Sequence, residues 1–296
     1  MGSELVFWHI ESIIFEMDKS LEKKYQALVA NIAKYDNALI AFSGGVDSSL
    51  VAFVAGQTLG KKSLAVTSAS ASLKRADLEL SEQLAEAWGI RHRVIVTKEL
   101  SKREYTSNPT NRCFYCKTSL YEELAVISKN EGFEVTLNGT NVDDLGDYRP
   151  GLEAAKNFKV ASPLVECGFS KTDIRSLASS LGLSNAQKPQ AACLSSRFPY
   201  GTEITIELLR RVETAEEVLQ NQGFTQFRVR HHGDLARLEI LTSEFPKMLQ
   251  NFPEVEKEIK AAGYKHVTLD LAGFRSGSLN EGLNLDMIDI KDVTHG

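Results

Sequence analysis

The chain has 296 residues, 43% hydrophobic and 25% charged, with a formal net charge of −5. That length suits one large or two ordinary domains with a sizeable core. The acidic balance argues against a nucleic-acid partner. Four cysteines in a chain this long do not make a disulfide framework, so a reducing cytoplasm is expected, with the cysteines available for metal or chemistry.

Residues 1–17 read as an N-terminal extension. Leu5-Val6-Phe7-Trp8 and Ile13-Ile14-Phe15 are interrupted by His9, Glu11 and Ser12, too broken for a membrane span and without the basic start of a signal peptide. Either Met17 is the real start or the segment packs as a short added helix. Leu21, Tyr25, Leu28 and Ile32 then share one helical face. Strand-like runs follow at 38–42, 63–67, 92–96 and 134–138. Leu73, Leu80, Leu84 and Trp88 line one intervening helix, and Leu120, Leu124 and Ile127 another. This alternation predicts an α/β domain over 18–185, a parallel sheet with helices on both faces. Ligands of such sheets bind beyond the carboxyl ends of the strands.

At one such end lies Ser43-Gly44-Gly45-Val46-Asp47-Ser48-Ser49. Two glycines let the backbone approach an anion, and the N–H groups of the turn and the next helix point at it. Asp47 is an anion where a bare phosphate would prefer none, which implies Mg²⁺ on a polyphosphate. There is no Walker A ending and no GxGxxG. The stretch resembles the SGGxDSS loop of the PP-loop ATP pyrophosphatase superfamily. That resemblance implies ATP, held by Ser43, Gly44, Gly45, Asp47, Ser48 and Ser49. Thr67, Gly139, Asp144 and Arg149 sit at other strand ends and are expected to help; alternatively, Asp143, Asp144 and Asp147 make a plain polar loop. Lys171 reaches phosphate or stays on the surface.

Ser170 and Asp173 are spaced as a capping box opening a helix striped with Ile174, Leu177 and Leu181. Residues 186–202 read as a connecting functional loop. From 203 to 280 a helix, two alternating strands, a helix and a strand predict a smaller α+β domain with one exposed sheet face; 281–296 form a tail. Arg228 and Arg230 project from one face of a strand, and Phe227 and Val229 from the other. Two guanidinium forks suit a phosphate or carboxylates, with Arg197 and Arg275 as further candidates. The alternative is a solvated sheet face partnered by Glu239.

Cys113-Phe114-Tyr115-Cys116 is a CxxC, and Cys193 precedes Leu194-Ser195-Ser196-Arg197-Phe198-Pro199-Tyr200-Gly201. A CxxC by itself suits redox pairs and half zinc sites. Together with the phosphate loop, Asn138-Gly139-Thr140-Asn141-Val142-Asp143-Asp144, Asp147-Tyr148-Arg149-Pro150-Gly151 and Gly273-Phe274-Arg275-Ser276-Gly277, these segments resemble the LarE family over roughly 18–280. The resemblance implies an ATP-dependent sulfur transferase of nickel-pincer nucleotide assembly, the cofactor of lactate racemase. Its substrate would be pyridinium-3,5-biscarboxylic acid mononucleotide, bound by Ser196, Arg197, Arg228, Arg230 and Arg275 and converted to thiocarboxylates. One form of that family sacrifices a cysteine. The other holds an iron–sulfur cluster on three, and Cys113, Cys116 and Cys193 resemble this [4Fe–4S] form, with both catalytic and metal-binding roles. A zinc site with Cys167, or sacrifice of Cys193, are the rivals. A homo-oligomer is expected from the family. A tRNA-thiolating enzyme, an amide-forming synthetase and a nucleotide-binding regulatory module are the alternative functions.

Overall fold

A computed structural model describes residues 18–146, 150–189, 192–275 and 277–280. The expectations placed on 1–17, 281–296, Asp147, Tyr148, Arg149 and Ser276 lie outside the described residues. The chain forms two compact units that divide between Cys193 and Leu194.

In the first unit, α1 (Lys19–Ala33) starts where the Asp18 carboxylate accepts from the Ser20 amide at 2.8 Å. Its Leu28 and Ile32 are fully buried, each stabilising the fold by about 1.5–3 kcal/mol. Then come β1 (Ala38–Ala41), α2 (Val46–Leu59), β2 (Ser63–Ser68), α3 (Arg75–Ala87), β3 (His92–Ile95), α4 (Arg112–Glu131), β4 (Val135–Leu137), α5 (Pro150–Asn157) and α6 (Lys171–Ser180). The four strands form a parallel sheet in the order β3-β2-β1-β4. Strand β1 is buried on both faces. Ala38 and Ile40 join α1, α2 and α6 in one core; Leu39 and Ala41 join Tyr121 and Leu124 of α4 and Ala154 and Ala155 of α5 in the other. Helices thus cover both sheet faces, as the alternation predicts. The capping box forms as expected: Ser170 and Asp173 exchange side chain-to-backbone bonds at 2.8 and 3.2 Å. Helix α5 has no counterpart in the sequence reading; its alanines Ala154 and Ala155 face the core.

The chain leaves β1 toward α2, and its neighbours β2 and β4 continue in opposite directions across the sheet. The carboxyl ends of the paired strands β1 and β4 therefore form a topological switch point, the place where ligands of open parallel sheets bind.

The second unit runs α7 (Ile206–Asn221), β5 (Phe227–His232), β6 (Leu235–Ile240), α8 (Phe245–Ala261) and β7 (His266–Leu269). Strands β5 and β6 are antiparallel, and β7 runs parallel to β6. Val229, Ala236, Leu238 and Ile240 face Leu219, Met248, Val255 and Ile259. The opposite face carries the charges but is not open as expected. Arg230 is 2% exposed and Glu239 fully buried. Ser278 and the stretch at Ser196 bond to them and account for the cover.

Candidate active site

The loop after β1 lies at the switch point. Gly44 has φ +68°, a left-handed backbone that glycine takes without strain. Gly45 is extended and precedes the first turn of α2, whose leading N–H groups have no partner within the helix. The Ser48 hydroxyl closes the loop on itself, donating to the Gly45 carbonyl at 3.1 Å and accepting from the Ser43 amide at 3.2 Å. Gly139, after β4, packs so close that a Cβ there would lie 2.5 Å from the Ser48 nitrogen. The loop after β4 can therefore pack against the first turn of α2 only while residue 139 has no side chain.

Asp47 does not stand as an uncompensated anion. Its carboxylate accepts from the Lys171 ammonium and from the Asn141 amide at 3.4 Å. Lys171 thereby gains a role at the loop, and Mg²⁺ no longer follows from Asp47's charge by itself. The Asp144 carboxylate accepts from the Asn141 backbone N–H at 3.1 Å, holding the loop whose Asn141 side chain reaches Asp47. Thr67 is buried at the end of β2 with its hydroxyl 2.8 Å from His92 Nε2. Burial lowers the His92 pKa, so its ring stays neutral at neutral pH.

Ser49 is fully buried and faces the protein: its hydroxyl accepts from Asn185 at 2.7 Å. Sequence reading missed Asn185, which also donates to the Gly44 carbonyl at 3.0 Å. Only the preceding turn composition marks it, and that signal is generic.

Cys113 and Cys116 occupy the first turn of α4. A helix N-terminus ordinarily lowers a thiol pKa. Here burial wins: Cys116 is pushed up to about 12, first by loss of hydration and next by the charge of Cys193. Cys113 is exposed at the surface, and its pKa is also raised, by partial loss of hydration and then the charge of Cys193, against the lowering effect of Arg112 and Lys117. The three thiols thus share one electrostatic neighbourhood within the first unit. Cys167 lies apart, packed on the core with Glu166 and Lys34 as its charged neighbours. Among the described residues, no three His, Cys, Asp or Glu side chains stand ready to enclose a metal ion. The donor chemistry of three thiols nevertheless suits an iron–sulfur group.

The second unit gathers the arginines. Arg197 lies against Glu216 in a bidentate pair at 2.8 and 3.1 Å, both buried, and Glu216 also accepts from the Val229 amide. Arg230 pairs with Glu239 at 3.0 Å and donates to the Ser196 carbonyl at 2.6 Å. The Ser196 hydroxyl accepts from Arg197 at 2.9 Å. Arg228 differs. It donates to the Arg275 carbonyl at 3.1 Å and lies over the Phe274 ring, with no carboxylate pair among the described residues. Burial, then the neighbouring Arg230 and Arg197 charges, lower its pKa to about 10, which still leaves it cationic. Arg275 donates to the Gly273 carbonyl and is 3.9 Å from Asp270.

No helix among the described residues is long and apolar enough to cross a membrane. Residues 32–105, which contain the phosphate loop, match the asparagine synthase family model. A pyridinium-3,5-bisthiocarboxylic acid mononucleotide synthase of Lactiplantibacillus plantarum is 36% identical over 265 residues, covering 89% of this chain and 96% of that protein. An uncharacterised protein of Synechocystis sp. is 43% identical over 89% of this chain and 99% of its own length. An uncharacterised protein of Methanocaldococcus jannaschii is 35% identical over 57% of this chain and 66% of its own. Loop, sheet order and near full-length likeness agree: the chain belongs to the LarE family of PP-loop, ATP-using enzymes.

Proposed function

We propose that the protein is an ATP-dependent sulfur transferase that converts the carboxylates of pyridinium-3,5-biscarboxylic acid mononucleotide to thiocarboxylates, a step in assembling the nickel-pincer nucleotide. The observation that carries this reading is one compact unit holding both the phosphate loop at the start of α2 and the cysteines Cys113, Cys116 and Cys193. The full-length likeness to a relative named for the bisthiocarboxylic product supports the substrate.

A substrate carboxylate oxygen attacks the α-phosphorus of ATP. A new O–P bond forms, the bond to the bridging oxygen of the β-phosphate breaks, and pyrophosphate leaves. Ser43, Gly44, Gly45, Asp47 and Ser48, with the first amides of α2, receive the polyphosphate and its Mg²⁺. Catalysis here is electrostatic positioning rather than covalent work. Lys171 and Asn141 hold Asp47; Thr67, Gly139, Asp144 and Arg149 complete the nucleotide site. A thiolate or sulfide sulfur then attacks the acyl carbon: the C–S bond forms, the C–O bond to AMP breaks and AMP departs. Where the sulfur is Cys193's own, loss of its α-proton then breaks the Cβ–Sγ bond, leaving dehydroalanine and freeing the thiocarboxylate. Arg228 is the guanidinium best placed to meet the substrate's phosphate, since Arg197 and Arg230 already face Glu216 and Glu239. Ser196, Arg197, Arg230 and Arg275 would complete the substrate contacts in the second unit.

Cys113, Cys116 and Cys193 would hold a [4Fe–4S] cluster, which when bound supplies an iron open to a sulfur ligand. Sacrifice of Cys193 is the second reading, since among the described residues no three ligands enclose a metal site and one thiol can act by itself. Incubation with ATP and the pyridinium dicarboxylate tests the reaction. Pyrophosphate release that depends on the dicarboxylate, with a thiocarboxylate product, is expected; release without it, or incorporation of ammonia, overturns the reading. Anaerobic purification separates the sulfur sources: about four irons per chain support the cluster, and a Cys193 that loses its sulfur supports sacrifice.

A further inference from the structure

Asn185 is 4% exposed and joins the phosphate loop at two points. The Gly44 carbonyl accepts only, so the Asn185 amide nitrogen must face it. Its Oδ1 is buried with no partner. An amide kept for packing alone would satisfy both ends; this one tolerates a desolvated oxygen for the sake of two bonds to the loop.

The surrounding chain is anchored as well. Leu183 and Ala186 are in the core. Arg175 donates to the Ala186 and Lys188 carbonyls at 3.0 and 2.9 Å. Lys188 pairs with Asp77 at 2.7 Å, both largely buried. The backbone carbonyl of Asp77 lies 3.3 Å from where a Gly44 Cβ would stand. Gly44, with its left-handed backbone, is therefore held by Asn185 on its carbonyl, while the Asp77 backbone leaves no room for a side chain at its Cα. Both constraints trace to one short stretch, and Cys193 follows Lys188 by only five residues, a reach of at most about 18 Å.

We propose that Asn185 is a positioning residue that locks the phosphate loop to the chain segment bearing Cys193, so that nucleotide engagement and sulfur delivery stay in register. This rests on the sulfur-transfer reading for its second half and not for its first. It touches neither reacting atom; it acts through Gly44 and Ser49.

The test uses the full chain. Titration of Asn185→Ala with ATP and Mg²⁺ should show affinity weakened about tenfold, the scale of one net hydrogen bond. Asn185→Asp should weaken it further, since a carboxylate then faces the Gly44 carbonyl close to the polyphosphate. In turnover, Asn185→Ala should release more pyrophosphate per thiocarboxylate formed than the unaltered chain. Lys188→Met leaves the loop's own bonds intact and guards against a variant that fails to fold; it too should raise that ratio. If the folded fraction of Asn185→Ala binds ATP as the unaltered chain does and neither variant changes the ratio, Asn185 serves only stability and the proposal falls. If the unaltered chain makes no thiocarboxylate, the sulfur-transfer reading fails instead, and the ATP titration still decides the loop-locking half.

Discussion

Gly139 and Ser48 come from segments some ninety residues apart, yet a single methyl group would separate them by less than an atomic contact. Gly139→Ala must push either the loop after β4 or the start of α2. Overpacking of this kind costs about 1–3 kcal/mol, and here it displaces the amides that receive phosphate. We expect a lower melting temperature and weaker ATP binding together, checked by thermal unfolding with and without ATP. Unchanged ATP affinity would show that the first turn of α2 is not the phosphate site. Cys116 supplies a second residue-scale expectation. Only a thiolate is alkylated, and a pKa of about 12 keeps Cys116 protonated at neutral pH. Its alkylation by iodoacetamide in the metal-free protein should rise with pH throughout the range from 7 to 10. A plateau below pH 9, read by peptide mass spectrometry, would contradict the burial that raises it. The phosphate loop is legible in sequence because seven adjacent residues carry it. Asn185 is not, because its meaning depends on two partners more than a hundred positions away.

Between elements, the buried pairs of the second unit matter most. Arg197 and Glu216 tie the stretch before α7 to the helix, and Glu216 extends the tie to the Val229 amide of β5. Removing one member leaves a buried charge unmatched, at about 3–5 kcal/mol. Glu216→Gln should therefore accelerate amide hydrogen exchange across β5. The double change Arg197→Met with Glu216→Leu should restore protection in the stretch before α7, since an apolar pair of similar size is often neutral, but not at Val229, whose amide then lacks its acceptor. Equal exchange in Glu216→Gln and the unaltered chain would mean the pair contributes nothing. The period-two alternation of Phe227-Arg228-Val229-Arg230 gives the strand and its two faces, and both hold. It does not say whether a charged face meets water, a ligand or another charge. Glu239, buried opposite, decides for Arg230, and no local pattern distinguishes it from a solvated glutamate. The capping box at Ser170 shows the opposite case: both partners lie within one turn, so the sequence suffices. Ser170→Ala should cost about 1 kcal/mol, seen as a lower denaturation midpoint.

At the scale of the whole molecule, the chain divides into a unit with a nucleotide loop and thiols and a unit with an arginine-rich, carboxylate-braced sheet face. The doubly covered parallel sheet was readable because alternating strands and helices leave few other architectures. The sequence marks a connecting loop at 186–202 but not the point within it, Cys193–Leu194, at which the units divide, since that stretch is rich in small polar residues throughout. The central claim is that activation of a carboxylate by ATP is separable from, and followed by, sulfur delivery from Cys113, Cys116 and Cys193. The most direct measurement replaces all three with serine and follows pyrophosphate and thiocarboxylate in the same reaction with ATP and the pyridinium dicarboxylate. Pyrophosphate release should persist while thiocarboxylate disappears; thiocarboxylate formed at the unaltered rate would contradict the account.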